Sequence, residues 1–321
     1  MRVVSAGFIG LALAIAGTTN AFAQTAGAQT AGAPAAGAAA NKAPAPAAAP
    51  AAAATHCANP DALGVVKTLE IDTTGGPGFG LEQYKVHDFL QPKEVVLTFD
   101  DGPQVRTTKT ILDALAEQCT KATFFSIGKM ALGLPEILRD VAARGHTIGS
   151  HTWSHADLGK LSKKDPKLAI EEFEKGLSGV HRALGGNVAS FFRFPYLKDS
   201  KEMVEHLSQR NIAMFSMDAD SFDFKFHKAD QIVKTVMTKI DAKGKGIILL
   251  HDIQPGTAAA MPQLLKALKD GGYKVVHLKS KTPASTLPEY DAMIEKDVKG
   301  LPTAGNEKPT SSIVRTVPNE P

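Results

Sequence analysis

Between residues 56 and 280 the chain alternates short apolar runs with amphipathic stretches at helical spacing, and this alternation limits the folds open to it more than any other feature. The runs Val95–Phe99, Ala122–Ile127, Thr147–Ser150, Phe191–Arg193, Ala213–Met217, Ile247–Leu250 and Lys274–His277 predict seven strands. Thr108–Gln118, Pro135–Arg144, Asp165–Leu184, Ser200–Gln209, Ala229–Ile240 and Thr257–Lys269 predict the helices between them. Pro135 suits a first helical turn, and Gly145, Gly185 and Gly271 stand where C-terminal caps belong. Strict β-α alternation implies a parallel sheet covered by helices. Such a sheet can stay open or close, and the polar residues choose between the two. Asp100 and Asp101 follow the first strand, His151 the third, and Arg193 ends the fourth; the Asp218–Asp223 cluster follows the fifth and His251 the sixth. A closed barrel brings all those strand ends round one mouth, whereas an open sheet gathers only the ones near its switch point. The expectation is one α/β catalytic domain over 56–280, a TIM-like barrel.

Both flanks have a different composition. Arg2, the apolar run Val3–Ala16 and Ala21-Phe22-Ala23 before Gln24 predict a signal peptide over 1–23. The apolar run is too short for a spanning helix, so no membrane span is expected in the mature chain. Residues 24–55 are rich in alanine, but Pro34, Pro44, Pro46 and Pro50 break the helical ladder and no large side chain is present to bury. This segment reads as a disordered spacer. From Lys281 to Pro321 six prolines and mixed charge predict a mostly disordered tail, with weak periodicity around Ala292–Val298. The charge balance, 36 basic against 33 acidic residues, excludes a domain built to neutralise many phosphates, so no nucleic-acid partner is expected. The exported context permits Cys57 and Cys119 to pair. A disulfide between them would close a loop of about 62 residues and contribute about 4 kcal/mol through chain entropy.

The chemistry-bearing residues sit at the predicted strand ends. His151 and His155 in HTWSH are four apart, so one helical turn would aim both imidazoles the same way. A carboxylate from another strand would complete a three-ligand metal site. Asp100-Asp101 supplies two adjacent carboxylates, whose mutual repulsion a cation removes. Consecutive side chains leaving a strand diverge, so one could bind metal while its neighbour addresses water.

TFDDGP at 98–103, HTWSH at 151–155, RFPY at 193–196, DSFDF at 220–224 and LLHD at 249–252 follow one another in an order that closely resembles the five motifs of polysaccharide deacetylases, carbohydrate esterase family 4, the NodB homology domain. The resemblance covers about 95 to 278 and implies a distorted (β/α)7 barrel. It implies Asp101, His151 and His155 as metal ligands and Asp100 as general base for the attacking water. Arg193 resembles the residue that holds that base. Tyr196, after Pro195, resembles an oxyanion donor through its peptide N–H, Leu249 a wall of the acetyl pocket, and His251 the general acid for the leaving amine. Asp223 resembles the carboxylate that charges and orients this histidine. The donor set suits Zn2+, with Co2+ or another divalent ion as substitute. The activity implied is removal of N-acetyl groups from N-acetylglucosamine-containing glycans, chitin-like or peptidoglycan. O-deacetylation of acetylated xylan and a catalytically silent glycan-binding protein of the envelope are the alternatives. An exported monomer, periplasmic or extracellular, with an acetylated glycan as its partner completes the expectation.

Two positions depart from the family pattern. Phe224 stands where tryptophan is common, and Asp218 where an aromatic is frequent. The glycine-rich run at 73–80 lacks the lysine and flanking elements of a phosphate cradle and reads as a turn or rim loop. Trp153 reads as structural support, and His87, His181, His206 and His227 as surface or packing residues.

Overall fold

The computed structural model describes Cys57 and residues 59 to 299. The predicted signal peptide, the spacer and the last part of the tail lie outside the described residues. In chain order the elements are β1 (Lys67–Ile71), β2 (Gly78–Phe79), β3 (Glu94–Asp100), α1 (Thr107–Glu117), β4 (Thr123–Ser126), α2 (Gly128–Gly133), α3 (Pro135–Ala143) and β5 (Thr147–Ser150). Then follow α4 (Leu158–Lys164), α5 (Pro166–Leu184), β6 (Phe191–Phe192), a 3-10 turn at Pro195–Leu197, α6 (Lys201–Gln209), β7 (Ala213–Phe215) and β8 (Ala219–Asp220). The last elements are α7 (Ala229–Lys243), β9 (Gly246–His251), α8 (Pro255–Asp270), β10 (Lys274–Ser280) and α9 (Pro288–Lys299).

Every strand pair is parallel. The ladder runs β2-β7-β6-β5-β4-β3-β9-β8, while β10 pairs the start of β3 and carries β1 on its other edge. The seven predicted strands are β3, β4, β5, β6, β7, β9 and β10. β1, β2 and β8 are additional, and two of them are two residues long, too short to show a period. β2 lies inside the glycine-rich run read as a plain turn. A Cβ on Gly76 would come within 2.7 Å of the Ser208 Cα, and one on Gly80 within 2.7 Å of the Met217 nitrogen, so only a bare backbone fits against this edge. Between β7 and β8 Asp218 does the joining. Its Oδ1 accepts from the Leu81 N–H at 2.8 Å and its Oδ2 from the Ile247 N–H at 2.7 Å.

Alternation along the strands sorts the core. Val96, Phe125, Phe191, Ala213, Phe215, Ile247 and Leu278 form an inner cluster enclosed by the sheet. Val95, Leu97, Phe99, Phe124, Ile148, Phe192, Met214, Ile248 and Leu250 face outward and pack against the helices. Burying each such side chain contributes about 1.5–3 kcal/mol. Asp165 caps α5 by accepting the Lys167 N–H, Pro166 begins that helix, and Gly185 (φ 66°) ends it in the left-handed conformation. At the end of α8 Gly271 is the C-cap with φ −75°, and Gly272 (φ 72°) beyond it is left-handed.

The tail needs a correction. Residues 288–299 form α9, which packs on α5 with Ile294 buried and with ion pairs Lys175–Asp297 (3.1 Å) and Arg182–Glu295 (2.7 Å). Ile294 is the buried apolar residue of this helix, with half-buried Tyr290 and Val298 and complementary charge beside it, in a segment that composition alone reads as coil. Cys57 and Cys119 are disulfide-bonded, with Cα atoms 5.7 Å apart, tying the segment before β1 to the end of α1. Among the described residues no helix is long and apolar enough to cross a membrane.

Candidate active site

The inward rule that buries Val96 also turns Thr98 and Asp100 toward the barrel axis, and directly after β6 it turns Arg193 to meet them. Arg193 is fully buried. Its guanidinium donates to Asp100 Oδ1 (2.8 Å), Thr98 Oγ1 (2.8 Å), the Ser216 carbonyl (2.8 Å) and the Phe215 carbonyl (3.3 Å), and it lies 4.5 Å over the Phe125 ring. A charge this deep is tolerated because the fork is satisfied and paired.

Asp101 cannot face the same mouth in extended geometry. It adopts φ 79°, held by its N–H on the Phe125 carbonyl (3.2 Å), and this re-aims the carboxylate. Its Oδ1 lies 3.5 Å from His151 Nε2 and 3.4 Å from His155 Nε2. One ligand atom from each of Asp101, His151 and His155 can be chosen so that all lie within 4.8 Å of one another. The two histidines do not share a helical turn as the spacing suggests. Residues 151–155 form a loop in which Thr152 (φ 69°) and His155 (φ 64°) are left-handed, and the His155 N–H binds Thr152 Oγ1 at 3.0 Å.

Three features fit this cluster to a cation. Asp101 Oδ1 is buried with no hydrogen-bond partner among the described residues, which is costly unless a cation answers it. His151 Nδ1 lies 2.7 Å from the Arg193 carbonyl; a carbonyl only accepts, so Nδ1 donates there and Nε2 is the nitrogen that faces Asp101. Burial first, and the neighbouring His151 second, push the His155 pKa down against the pull of Asp101 and Asp100, which favours the neutral, ligand-competent form of this ring.

Asp100 and His251 are direct register partners on β3 and β9, so the second histidine centre stands beside the first. His251 Nδ1 lies 2.6 Å from Asp223 Oδ1, and its backbone N–H donates to Asp223 Oδ2 at 2.7 Å. The Thr257 hydroxyl donates to the same oxygen at 2.5 Å. Burial would lower the His251 pKa, but the hydrogen bond and charge of fully buried Asp223, with Asp100 and Asp101 behind, raise it to about 9. Leu249 is buried on the same strand. Pro195 starts the 3-10 turn in which Tyr196 (φ 58°) is left-handed and 61% exposed, its ring edge-on to His155 at 4.7 Å. Phe224, 47% exposed, stands edge-on to His251 at 6.0 Å. Asp218 plays no part here, since both its oxygens brace strands.

The structure thus brings Asp100, Asp101, His151, His155, Arg193, Tyr196, Asp223, Leu249 and His251 to one mouth. The disulfide lies elsewhere. His206 pairs with buried Glu174 at 2.7 Å, and Trp153 is buried between Lys129 and Lys175, which lie 5.6 and 5.0 Å over its ring. Sequence reasoning missed Asp252, fully buried, whose Oδ2 accepts from Thr108 Oγ1 at 2.6 Å directly behind Gly102; its place in LLHD was the available signal. It also missed Glu172, for which the sequence offers none.

Comparisons with known proteins find one family that the chain resembles in sequence and in fold. The family profile of polysaccharide deacetylases matches residues 89–215. The chain is 32% identical to a peptidoglycan-N-acetylglucosamine deacetylase of Bacillus cereus, over 58% of this chain and 67% of that one. It is 31% identical to a chitooligosaccharide deacetylase of Sinorhizobium fredii, over 56% and 87%. Among solved structures, a peptidoglycan deacetylase of Bdellovibrio bacteriovorus superposes with a TM-score of 0.60 at 36% identity, covering 68% of this chain and 59% of that one. The chain spans less than half of the Listeria monocytogenes and Bacillus subtilis deacetylases that it also matches.

Proposed function

Because the chain belongs to the polysaccharide deacetylase family, we propose that it removes N-acetyl groups from N-acetylglucosamine-containing glycans, chitin-like or peptidoglycan, with a divalent ion, and that it does so outside the cytoplasm. The observation that carries this reading is a base fixed by Arg193 beside a histidine whose pKa is raised to about 9, flanking one cluster of metal-ligand side chains.

Amide hydrolysis needs an activated water, a stabilised oxyanion and a proton for a poor amine leaving group. Asp101, His151 and His155 would hold the ion, zinc by donor type, with cobalt as the natural substitute. When bound, such an ion supplies Lewis-acid polarisation and lowers the pKa of water. Asp100 is the base: Arg193 occupies Oδ1, so Oδ2, 3.9 Å from His151 Nε2, takes the water proton. The water oxygen bonds to the acetyl carbon while the Tyr196 peptide N–H donates to the developing oxyanion. Leu249 lines the methyl side. His251 delivers a proton from Nε2 to the nitrogen as the C–N bond breaks, leaving acetate and a free amine. Asp223 on Nδ1 keeps the ring charged until that moment.

Export is supported by Arg2, the apolar run Val3–Ala16 and the Ala21-Phe22-Ala23 signal, and by a disulfide of the kind that persists in oxidising compartments. The test is acetate release from chitooligosaccharides, peptidoglycan and acetylxylan side by side, with and without chelator. Asp100→Asn is expected to lose at least ~10²-fold in rate with zinc still bound. Wild-type-like activity in that variant rejects the assigned base, and release from acetylxylan alone rejects N-deacetylation.

A further inference from the structure

The loop 151–155 has to bring two imidazoles onto one carboxylate, yet its backbone is strained at both Thr152 and His155. A residue in the left-handed region costs about 1–3 kcal/mol and persists only where the surroundings over-determine it. The surroundings are one helix. In the first half of α5, the Glu172 carboxylate Oε1 accepts two bonds from Ser154, from its N–H at 2.6 Å and its hydroxyl at 2.7 Å. The carbonyl of the same residue accepts the Trp153 N–H at 2.9 Å. One turn further on, a Cβ on Gly176 would collide with the Thr152 carbonyl carbon, so the loop backbone lies directly against the helix there. At Gly179 a Cβ would sit 3.1 Å from both the Trp153 ring and Gly128. Three consecutive loop residues, all between His151 and His155, are therefore seated on α5, and Glu172 holds two of them.

We propose that Glu172 is a positioning residue for the metal: it fixes the separation and aim of His151 and His155 while touching neither the ion nor substrate. This rests on the reading that Asp101, His151 and His155 hold a divalent cation. Each Glu172 bond to Ser154 is charge-assisted, and both converge on one oxygen, so losing the side chain frees the loop at its midpoint. Groups that orient metal ligands from behind are typically worth 10–100-fold in affinity. Glu172 acts on two ligands at once through the chain that joins them.

The experiment is zinc titration of the full chain against a chromophoric chelator, with circular dichroism as the check on folding. Glu172→Ala is expected to weaken zinc binding about 10–100-fold. Glu172→Gln retains Oε1, the oxygen that accepts both bonds, and is expected to bind within about threefold of wild type, which separates positioning from loss of charge. Acetate release by Glu172→Ala should recover at saturating zinc, because the reacting groups are intact. Should that variant fail to fold, Ser154→Ala removes only the hydroxyl bond and is expected to weaken zinc about 3–10-fold. Folded Glu172→Ala with wild-type zinc affinity overturns the proposal alone; wild-type protein that binds no zinc overturns it together with the metal site. Activity that stays lost at saturating zinc also refutes it, since that marks a merely structural role.

Discussion

The sharpest consequence of the geometry concerns a proton on His251. Its ring is mostly buried, which on its own would favour the neutral form, yet the pKa stands at about 9 because Asp223 Oδ1 lies 2.6 Å from Nδ1. Asp223→Asn removes that charge and leaves the burial, so the pKa should fall to the ordinary histidine value of 6.5 or below. At pH 8 a group with pKa 9 is about nine-tenths protonated, and one with pKa 6.5 about 3%. Protonation alone therefore predicts a drop of about 30-fold at that pH, and any tilt of the freed ring adds to it. The assay is kcat/KM for acetate release between pH 5 and 10. Wild type should keep activity up to an alkaline limb near 9, and the variant should lose it through a limb at or below about 6.5. Zinc affinity serves as control, and it should stay within about threefold because Asp223 stands outside the ligand cluster. An alkaline limb unmoved near 9 in Asp223→Asn would refute the assignment, since the proton would then be held by something other than this carboxylate.

Two further outcomes follow from buried charge. Arg193→Met deletes four donor contacts and strands Asp100 without its partner, so urea unfolding of the metal-free protein should report a loss of about 3–5 kcal/mol; a loss under about 1 kcal/mol contradicts the pairing. On the far face of the barrel, burial first, then Lys121, depresses the His146 pKa to about 3; burial and Lys279 depress His277 to about 4. Both are neutral in the fold and bind a proton on unfolding below the ordinary 6.5, so their stability contribution is complete above about pH 6.5 and is lost as pH falls toward 4 and then 3. Thermal unfolding from pH 7 to 4 should show a steep fall in midpoint that His277→Gln makes shallower, and equal slopes in the two proteins reject the cause.

Much of this was legible because a strand has a period of two. Once Val95–Phe99 is read as a strand, Asp100 must share the face of Val96 and Thr98, and the same count on Ile247–Leu250 turns His251 inward with Ile247 and Leu249. That is why the motif residues converge without any knowledge of contacts. What escaped the reading depends on distant partners or on very short elements. Asp218 looks like a departure at the acetyl wall until Leu81, far off in sequence, is seen to donate to it. β8 is two residues long. α9 docks with Ile294 buried and with Asp297 and Glu295 meeting Lys175 and Arg182 on α5, a match that composition cannot report. Helical spacing of His151 and His155 suggested the right convergence by the wrong backbone, because Gly176 and Glu172 on another element decide what conformation the loop adopts.

The same period that builds the barrel also obstructs the site, and this accounts for where the strain lies. An extended strand sends alternate residues to opposite faces, so Asp100 and Asp101 cannot both reach the mouth unless the chain leaves β geometry between them. Of the nine non-glycine residues with left-handed φ among the described residues, six belong to the site loops: Asp101, Thr152, His155, Tyr196, Leu197 and Phe222. The other three, Lys93, Cys119 and Asn211, lie at ordinary turns next to strands or helices. Strain of about 1–3 kcal/mol per residue would relax unless opposed, and the opposing contacts are Phe125 on β4 for Asp101, Thr152 Oγ1 for His155 and α5 for the loop between the histidines. The Asp101 turn thus leans on β4 and the loop between the histidines on α5, elements that the sheet and its helices already hold rigid. The ligand geometry is therefore set less by the ligands than by the elements beneath them, and substitutions under the loops should perturb metal affinity before they perturb the fold.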